Sequence, residues 1–148
     1  TAMSTNTMID AIRELILPLT KVTTPNTDEL SSISPGSDNQ DAGAQDLLMT
    51  GCDYVLVTGT HAQTHNVENT LYGSRGKIQS YSWDRLPHTY HGSGCTLASA
   101  ISGYLAHGLE IQEAATRAQS FTWQALKHAH RLGMGQLHPN RLHWTIKQ

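Results

Sequence analysis

The sequence lacks the features that mark disulfide-rich, nucleic-acid-binding and zinc-binding proteins. Only two of its 148 residues are cysteines, Cys52 and Cys95. Two are too few for a disulfide framework, so a reducing, cytoplasmic compartment is expected. There is no cluster of Lys and Arg, and the formal net charge of −2 gives no sign of a nucleic-acid surface. The nine histidines are scattered, without zinc spacing such as H-E-x-x-H.

Long hydrophobic stretches are also lacking. No apolar run approaches the length that crosses a membrane, and no charged segment followed by an apolar segment marks a signal peptide. We therefore expect no membrane partner. A chain of 148 residues fits one domain with a substantial core, so residues 1–148 are expected to form a single domain.

Apolar residues at helical spacing predict a first helix over residues 8–19. The polar residues 4–7 are interpreted as a loop, with Asn6 or Thr7 as the helix cap. Pro18 is expected to help to end this helix.

Similar spacing predicts three more helices. The first is short and ends at Gly51, the second follows residue 92 and is closed by Gly108, and the third starts at Ile111 and ends near Gly133. The segments 31–41 and 134–148 are polar, and we predict a loop for the former and an irregular tail for the latter.

Strand patterns lie between these helices. Residues 21–24 are β-prone, and residues 54–57 form a continuous apolar run that is typical of a strand buried on both faces. Residues 69–72 and 77–81 predict a hairpin around the turn at residues 73–76. The alternation of strands and helices favours a layered α/β domain.

The most informative motif is the run His-Gly-Ser-Gly-Cys-Thr at residues 91–96, which opens a helix. Small residues let a ligand approach the backbone, and free N–H groups at a helix start point at an anion. Cys95 adds a group that can accept a proton. This combination suits phosphoryl transfer. The alternative is a flexible helix entry with a Cys that is a small structural residue.

Three segments occur in an order that resembles a known family. Residues 24–29 read T-P-N-T-D-E, residues 57–61 read V-T-G-T-H and residues 91–97 read H-G-S-G-C-T-L. The tail adds L-G-M-G and H-P-N, at residues 132–135 and 138–140. Together they resemble the hydroxymethylpyrimidine/phosphomethylpyrimidine kinases of thiamine biosynthesis, within the ribokinase-like superfamily. That family carries T-P-N-x-x-E, K-G-G-H and H-G-T-G-C-T-L.

The resemblance implies a ribokinase-like three-layer α/β/α fold that is truncated at the N-terminus, because the chain starts near the second half of the family's domain. It also implies that a further copy of the chain, or a complementing chain, is a candidate supplier of the other half.

For the first segment, the resemblance implies that Asn26 and Glu29 organise Mg²⁺ and the phosphates of ATP, with Glu29 acting through water. Mg²⁺ prefers oxygen ligands and keeps several waters, which suits a single carboxylate. The alternative is that residues 26–29 are only a turn and a helix cap.

For the other segments, the resemblance implies two further roles. The anion hole is matched by Gly92, Ser93, Gly94 and Cys95, and a strand-end loop beside the nucleotide is matched by Thr58, Gly59 and Thr60. Cys95 stands where related enzymes place an Asp that acts as a base, and a cysteine thiolate can accept a proton from a substrate hydroxymethyl group. Thr58 and Thr60 depart from the family's Lys and Gly. The change at Thr58 removes a positive charge.

The expected function is therefore ATP-dependent phosphoryl transfer to the hydroxymethyl group or the monophosphate of 4-amino-5-hydroxymethyl-2-methylpyrimidine. The alternatives are a pyridoxal kinase-type enzyme of the same superfamily, a catalytically silent half-domain or interaction module, and a plain α/β domain with a structural Cys95.

Overall fold

The computed structural model describes residues 2–59 and 65–145, with side chains described from residue 7 onward. Within it the chain divides into two compact units, Thr1–Ser82 and Trp83–Gln148. The single domain expected from the length stays a prediction.

The first unit begins with helix α1 (Ala2–Ala11), which continues into a π-helical turn (Ile12–Ile16) and a 3₁₀ turn (Leu17–Leu19). The prediction of a loop at residues 4–7, with a cap at Asn6 or Thr7, is wrong because these residues are helical. Polar residues such as Ser, Thr and Asn cost a helix only tenths of a kcal/mol each, which a continuing helix tolerates.

Most of the apolar residues whose spacing predicted this first helix are exposed to solvent. Leu17 is buried, whereas Met8, Leu15, Ile16 and Leu19 are exposed. The widening to a π-helical turn interrupts the 3.6-residue period, so residues at helical spacing no longer share one buried face. Proline in the 3₁₀ turn comes just before the chain becomes extended, as predicted.

The sheet of the first unit has four strands in the order β1-β2-β3-β4. The strands are β1 (Val22–Thr23), β2 (Tyr54–Thr58), β3 (Asn66–Gly73) and β4 (Gly76–Asp84). β2 pairs with β1 in parallel and with β3 in the antiparallel direction. The sheet is therefore mixed.

Strand β2 lies at the centre of the first unit's core. Val55, Leu56 and Val57 are all buried, so β2 is covered on both faces, as the apolar run predicted. One hydrophobic cluster collects most of this core: Leu17, Leu30, Ala44, Leu47, Cys52, Val55, Val57 and Tyr72.

The predicted hairpin is present, with longer strands than expected. β3 ends at Gly73 and β4 begins at Gly76, leaving a two-residue turn at residues 74–75. Gly76 has a φ of +100°, a backbone conformation that glycine adopts without the strain of a Cβ.

Two helices cover the sheet, α2 (Thr27–Ile33) and α3 (Gln40–Met49). The prediction of a loop over residues 31–41 is wrong at both ends, because only residues 34–39 lie outside helices. Serine hydroxyls in α2 donate to carbonyls one turn back, at 2.8–2.9 Å. Such bonds let a Ser-rich segment remain helical.

The second unit is built on α4 (Ser93–Ala106) and α5 (Ile111–Lys127), which pack together. Four alanines of α5 are fully buried, consistent with the close packing that small residues allow: Ala114, Ala115, Ala118 and Ala125. The predicted end near Gly133 is wrong, because α5 ends at Lys127 and His130 pairs with His138 in a short bridge.

The tail is irregular through residue 145, apart from a 3₁₀ turn (His143–Thr145). It is also fixed in place, because Leu137 pairs with Tyr90 in an isolated bridge. In the described part of the chain, the helices fall short of the length and apolar character needed to cross a membrane.

Candidate active site

In the first unit, two strand ends bring the predicted nucleotide-binding residues together. The chain leaves β1 through Pro25 and Asn26, and it leaves β2 through Thr58 and Gly59. Because β1 and β2 are parallel, these ends meet: Asn26 pairs with Thr58, and the Thr58 N–H donates to the Pro25 carbonyl at 2.9 Å. Ligands collect at the carboxyl ends of strands in such sheets.

A capping box begins α2 at this position. The Asn26 side chain accepts a hydrogen bond from the Glu29 N–H, and Glu29 Oε2 accepts one from the Asn26 N–H, both at 2.8 Å. Glu29 is exposed, and its Oε1 lies outside the box. Residues 26–29 therefore do cap a helix, and the cap fixes a carboxylate at the strand end. Whether Glu29 has a further role stays a prediction.

Gly59 follows β2 in a space that admits no side chain. Its N–H donates to Asn69 Oδ1 at 3.1 Å. A Cβ built on Gly59 would overlap the carbonyl oxygen of Glu68 on β3. Thr60 and His61, which the sequence placed in the same loop, lie outside the described residues.

The donor set of this segment fits a Mg²⁺ ion that is bound mainly through water and phosphate. Among the described residues, no group of three or more His, Cys, Asp or Glu side chains could hold a metal by itself. Mg²⁺ commonly uses one or two carboxylates and keeps its remaining ligands from water and substrate phosphates. The exposed Glu29 carboxylate suits that mode.

In the second unit, the loop before α4 is anchored by the tail. The His91 N–H donates to the Leu137 carbonyl at 2.9 Å, and the Leu137 N–H donates to the Thr89 carbonyl at 3.1 Å. The rings of His91 and His138 meet edge to face, with centroids 5.7 Å apart. The loop therefore has a fixed entry into the helix.

Helix α4 begins without a side-chain cap. Gly92 precedes it with a φ of +85°, and the Thr96 N–H is the first to reach back, to the Gly92 carbonyl at 3.0 Å. The N–H groups of Ser93, Gly94 and Cys95 come before that first helical bond. Such donors suit an anion.

Space around this helix start is open. A Cβ built on Gly94 would meet no atom within 4 Å. Cys95 is exposed, so its thiol is open to solvent. Cys52 differs in each respect. It is buried, burial raises the pKa of its thiol, and its Sγ–H donates to the Leu47 carbonyl at 3.3 Å.

One neighbour of this loop was missed by the sequence analysis. The Thr96 hydroxyl donates to the Gly92 carbonyl at 2.8 Å and accepts a hydrogen bond from Arg141 Nε at 3.0 Å. Thr96 is 2% exposed, so the Arg141 side chain is attached to a buried hydroxyl. The contact spans 45 residues, and no local pattern signals it.

Comparison with known proteins gives the family. Residues 1–140 match the family model described as phosphomethylpyrimidine kinase. The chain belongs to the phosphomethylpyrimidine kinase family. Relatives of the chain include the hydroxymethylpyrimidine/phosphomethylpyrimidine kinase of Synechococcus elongatus, 38% identical over 135 residues and matched over 86% of this chain and 51% of the relative.

Pyridoxine and pyridoxal kinases are also similar to this family member. The pyridoxine kinase of Bacillus subtilis is 33% identical, over 80% of this chain and 46% of its own. The pyridoxal kinase of Staphylococcus aureus, solved in complex with ADP, superposes with a TM-score of 0.84 at 25% identity. That match covers 93% of this chain and 53% of the S. aureus chain. The fold is accordingly ribokinase-like α/β, as expected.

This family member spans about half the length of the relatives it matches. Its predicted site residues fall into two groups. The first unit brings together Asn26, Glu29, Thr58 and Gly59. The second holds the predicted anion hole, residues 92–95, at the start of α4.

Proposed function

We propose that this chain acts in ATP-dependent phosphoryl transfer to the hydroxymethyl group, or to the monophosphate, of 4-amino-5-hydroxymethyl-2-methylpyrimidine in thiamine biosynthesis. The observation that carries the proposal is the uncapped start of α4, where backbone N–H groups and the exposed Cys95 thiol lie side by side. Membership of the phosphomethylpyrimidine kinase family supports it.

The loop would serve the transferred phosphoryl group. In phosphoryl transfer, negative charge spreads over the equatorial oxygens of a loose transition state, so fixed donors supply most of the stabilisation. Gly92, Ser93, Gly94 and the Cys95 N–H form the proposed anion hole. The positive end of the α4 dipole adds to the same effect.

Cys95 is the proposed base. As the acceptor oxygen forms its bond to the γ-phosphorus, the bond from that phosphorus to the bridging oxygen of ATP breaks and ADP leaves. The proton of the hydroxymethyl group passes to Cys95 Sγ when the thiolate is the starting form. Exposure of this side chain lets an acceptor reach it.

The strand-end segment is the proposed binding region for the nucleotide. Glu29 would hold Mg²⁺ through water, and Mg²⁺ would neutralise charge on the phosphates. Asn26, Thr58, Gly59 and Thr60 are the proposed nucleotide-binding residues. Since the family's lysine is replaced by Thr58, we expect weaker affinity for ATP than a lysine at that position would give.

A second candidate acceptor is pyridoxal or a related pyridine alcohol. Two observations favour it: the similarity to the B. subtilis pyridoxine kinase and the likeness to the S. aureus pyridoxal kinase. Both candidate acceptors are flat heteroaromatic alcohols. The two functions share the same phosphoryl-transfer steps and differ only in what the acceptor region recognises.

The test incubates the purified chain with MgATP and each acceptor, alone and in competition, and identifies products by mass spectrometry. The proposal expects a phosphorylated pyrimidine that forms in preference to phosphorylated pyridoxal. The reverse preference would favour the second candidate. If neither phosphorylated product forms, both candidate functions are contradicted and a catalytically silent half-domain is supported.

A further inference from the structure

We propose that Arg141 binds the anionic group at the start of α4, supplying the cation for a terminal phosphate of a polyphosphate ligand. This inference rests on the proposed function, since it places a phosphate at that loop. It adds a phosphate-binding residue from the irregular tail, outside the motifs that identify the family.

The position of Arg141 is fixed by a buried hydroxyl. Its Nε donates to Thr96 Oγ1 at 3.0 Å, and that hydroxyl in turn donates to the Gly92 carbonyl at 2.8 Å. Thr96 lies in the first turn of α4 and is 2% exposed. Two successive hydrogen bonds therefore tie the guanidinium to the residue that begins the proposed anion hole.

One terminal nitrogen of Arg141, Nη2, lies beside Gly92. A Cβ built on Gly92 would be 3.3 Å from Arg141 Nη2, so the glycine lets the guanidinium approach the backbone closely. A guanidinium carries five N–H donors in a planar fork that matches phosphate oxygens. In the described part of the chain, Nε uses one donor and the fork has no carboxylate partner.

The charges at this place do not balance within the described residues. The N-terminus of a helix carries a partial positive charge, and the first turn of α4 contains no acidic residue. A guanidinium placed beside it adds a full positive charge. The guanidinium of the exposed Arg141 is held beside the helix start by its hydrogen bond to the buried Thr96 side chain, and together these two positive centres create a potential that an anion relieves.

A bidentate arginine constrains the orientation of a phosphate more than a lysine does.

The competing interpretation is that Arg141 only fastens the tail to α4. We would titrate the full chain with sodium tripolyphosphate and with adenosine by calorimetry, for wild type, Arg141→Gln, Arg141→Lys and Arg131→Gln. Arg131 is the matched control because it is exposed and donates to the Gly135 carbonyl in the same tail. Its replacement by Gln removes the same charge. Thermal unfolding of each variant reports any structural loss.

We expect Arg141→Gln to weaken tripolyphosphate binding by about tenfold or more, because a charge-assisted hydrogen bond is lost. Adenosine binding should be unchanged, Arg141→Lys should be intermediate, and Arg131→Gln should stay within about twofold of wild type. A lower melting temperature for Arg141→Gln with unchanged tripolyphosphate affinity would overturn the proposal. Equal losses in both Gln variants, or no tripolyphosphate binding by wild type, would also overturn it.

The readout separates this proposal from the proposed function. If the chain phosphorylates neither acceptor but binds tripolyphosphate in an Arg141-dependent way, the kinase function fails and the Arg141 assignment stands. If it phosphorylates an acceptor while Arg141→Gln binds tripolyphosphate like wild type, the kinase stands and the Arg141 assignment fails.

Discussion

The strand-end segment of the first unit and the helix start of the second hold their candidate residues in different ways. At the strand ends, polar groups are already paired: Asn26 and Glu29 cap each other, and the Gly59 N–H is bonded to Asn69. At the start of α4, no side chain caps the helix, and Cys95 is exposed.

The difference indicates that the polar groups of the strand-end segment mainly stabilise the fold, whereas those at the start of α4 are available to bind a ligand. Paired donors and acceptors fix the backbone but have little left to offer a ligand. Free N–H groups stabilise the fold less and remain available to an anion. We therefore expect substitutions in the strand-end segment to lower the free energy of unfolding, and substitutions at the helix start to lower activity with little change in stability.

The largest stability loss should come from Gly59→Ala. The added Cβ would overlap the Glu68 carbonyl oxygen, so the backbone of the loop or of β3 must move. We expect the free energy of unfolding in urea to fall by about 2–3 kcal/mol. Gly36→Ala is the control, because its Cβ would meet nothing within 4 Å. Equal stability of the two variants would show that the Gly59 loop is not constrained.

The two cysteines sharpen the comparison between the units. Cys52→Ala removes a buried sulfur and its hydrogen bond to Leu47, so we expect a loss of about 1–2 kcal/mol in unfolding free energy. Cys95→Ala alters an exposed side chain and should change that free energy by less than about 0.5 kcal/mol. Urea unfolding of both variants measures this. A larger loss for Cys95→Ala would support a structural Cys95.

The capping box allows stability and metal binding to be separated. Asn26→Ala should cost about 1 kcal/mol because the cap of α2 is lost. Glu29→Gln should retain most of that stability, since Gln also completes a capping box. It removes the carboxylate, however, so we expect weaker Mg²⁺-dependent binding of ADP by calorimetry. Unchanged Mg²⁺ dependence would leave Glu29 with a capping role alone.

The smallest expected effect is a dependence on acid pH. The hydrogen bond from Arg13 lowers the pKa of the Asp46 carboxyl, with Ser34 acting in the same direction. A lowered folded-state pKa means that the stabilisation is present above the unfolded pKa of about 3.9 and is lost as pH falls through the folded value.

Because Asp46 is partly exposed, the effect should stay below about 1 kcal/mol. We expect Asp46→Asn to be less stable than wild type at pH 7 and to approach it at pH 2.5, by urea unfolding. A stability difference that is the same at both values would contradict the assignment to Asp46.

Elements with a strong local pattern were predictable from the sequence. Strand β2 followed from its continuous apolar run, and the hairpin followed from the two glycines that bound its turn. The start of α4 followed from the small residues at 92–94. Each of these three elements is determined by residues within one short segment of the sequence.

Other features depend on contacts between distant residues. The end of helix α2 was predicted as a loop because its serines suggest one, although their hydroxyls bond within the helix. The end of α5 depends on the pairing of His130 with His138. The Asn69 contact with Gly59 and the Arg141 contact with Thr96 join segments that no motif connects, so neither could be read from the sequence.

The most direct test of the account is acceptor-dependent ADP release, measured side by side for wild type and Cys95→Ala. The assay would contain MgATP and 4-amino-5-hydroxymethyl-2-methylpyrimidine, with ADP affinity measured on the same samples. We predict that Cys95→Ala lowers turnover at least about a hundredfold, as expected for loss of a base, while ADP affinity is unchanged. Turnover by Cys95→Ala equal to that of wild type, or no turnover by wild type, would contradict the account.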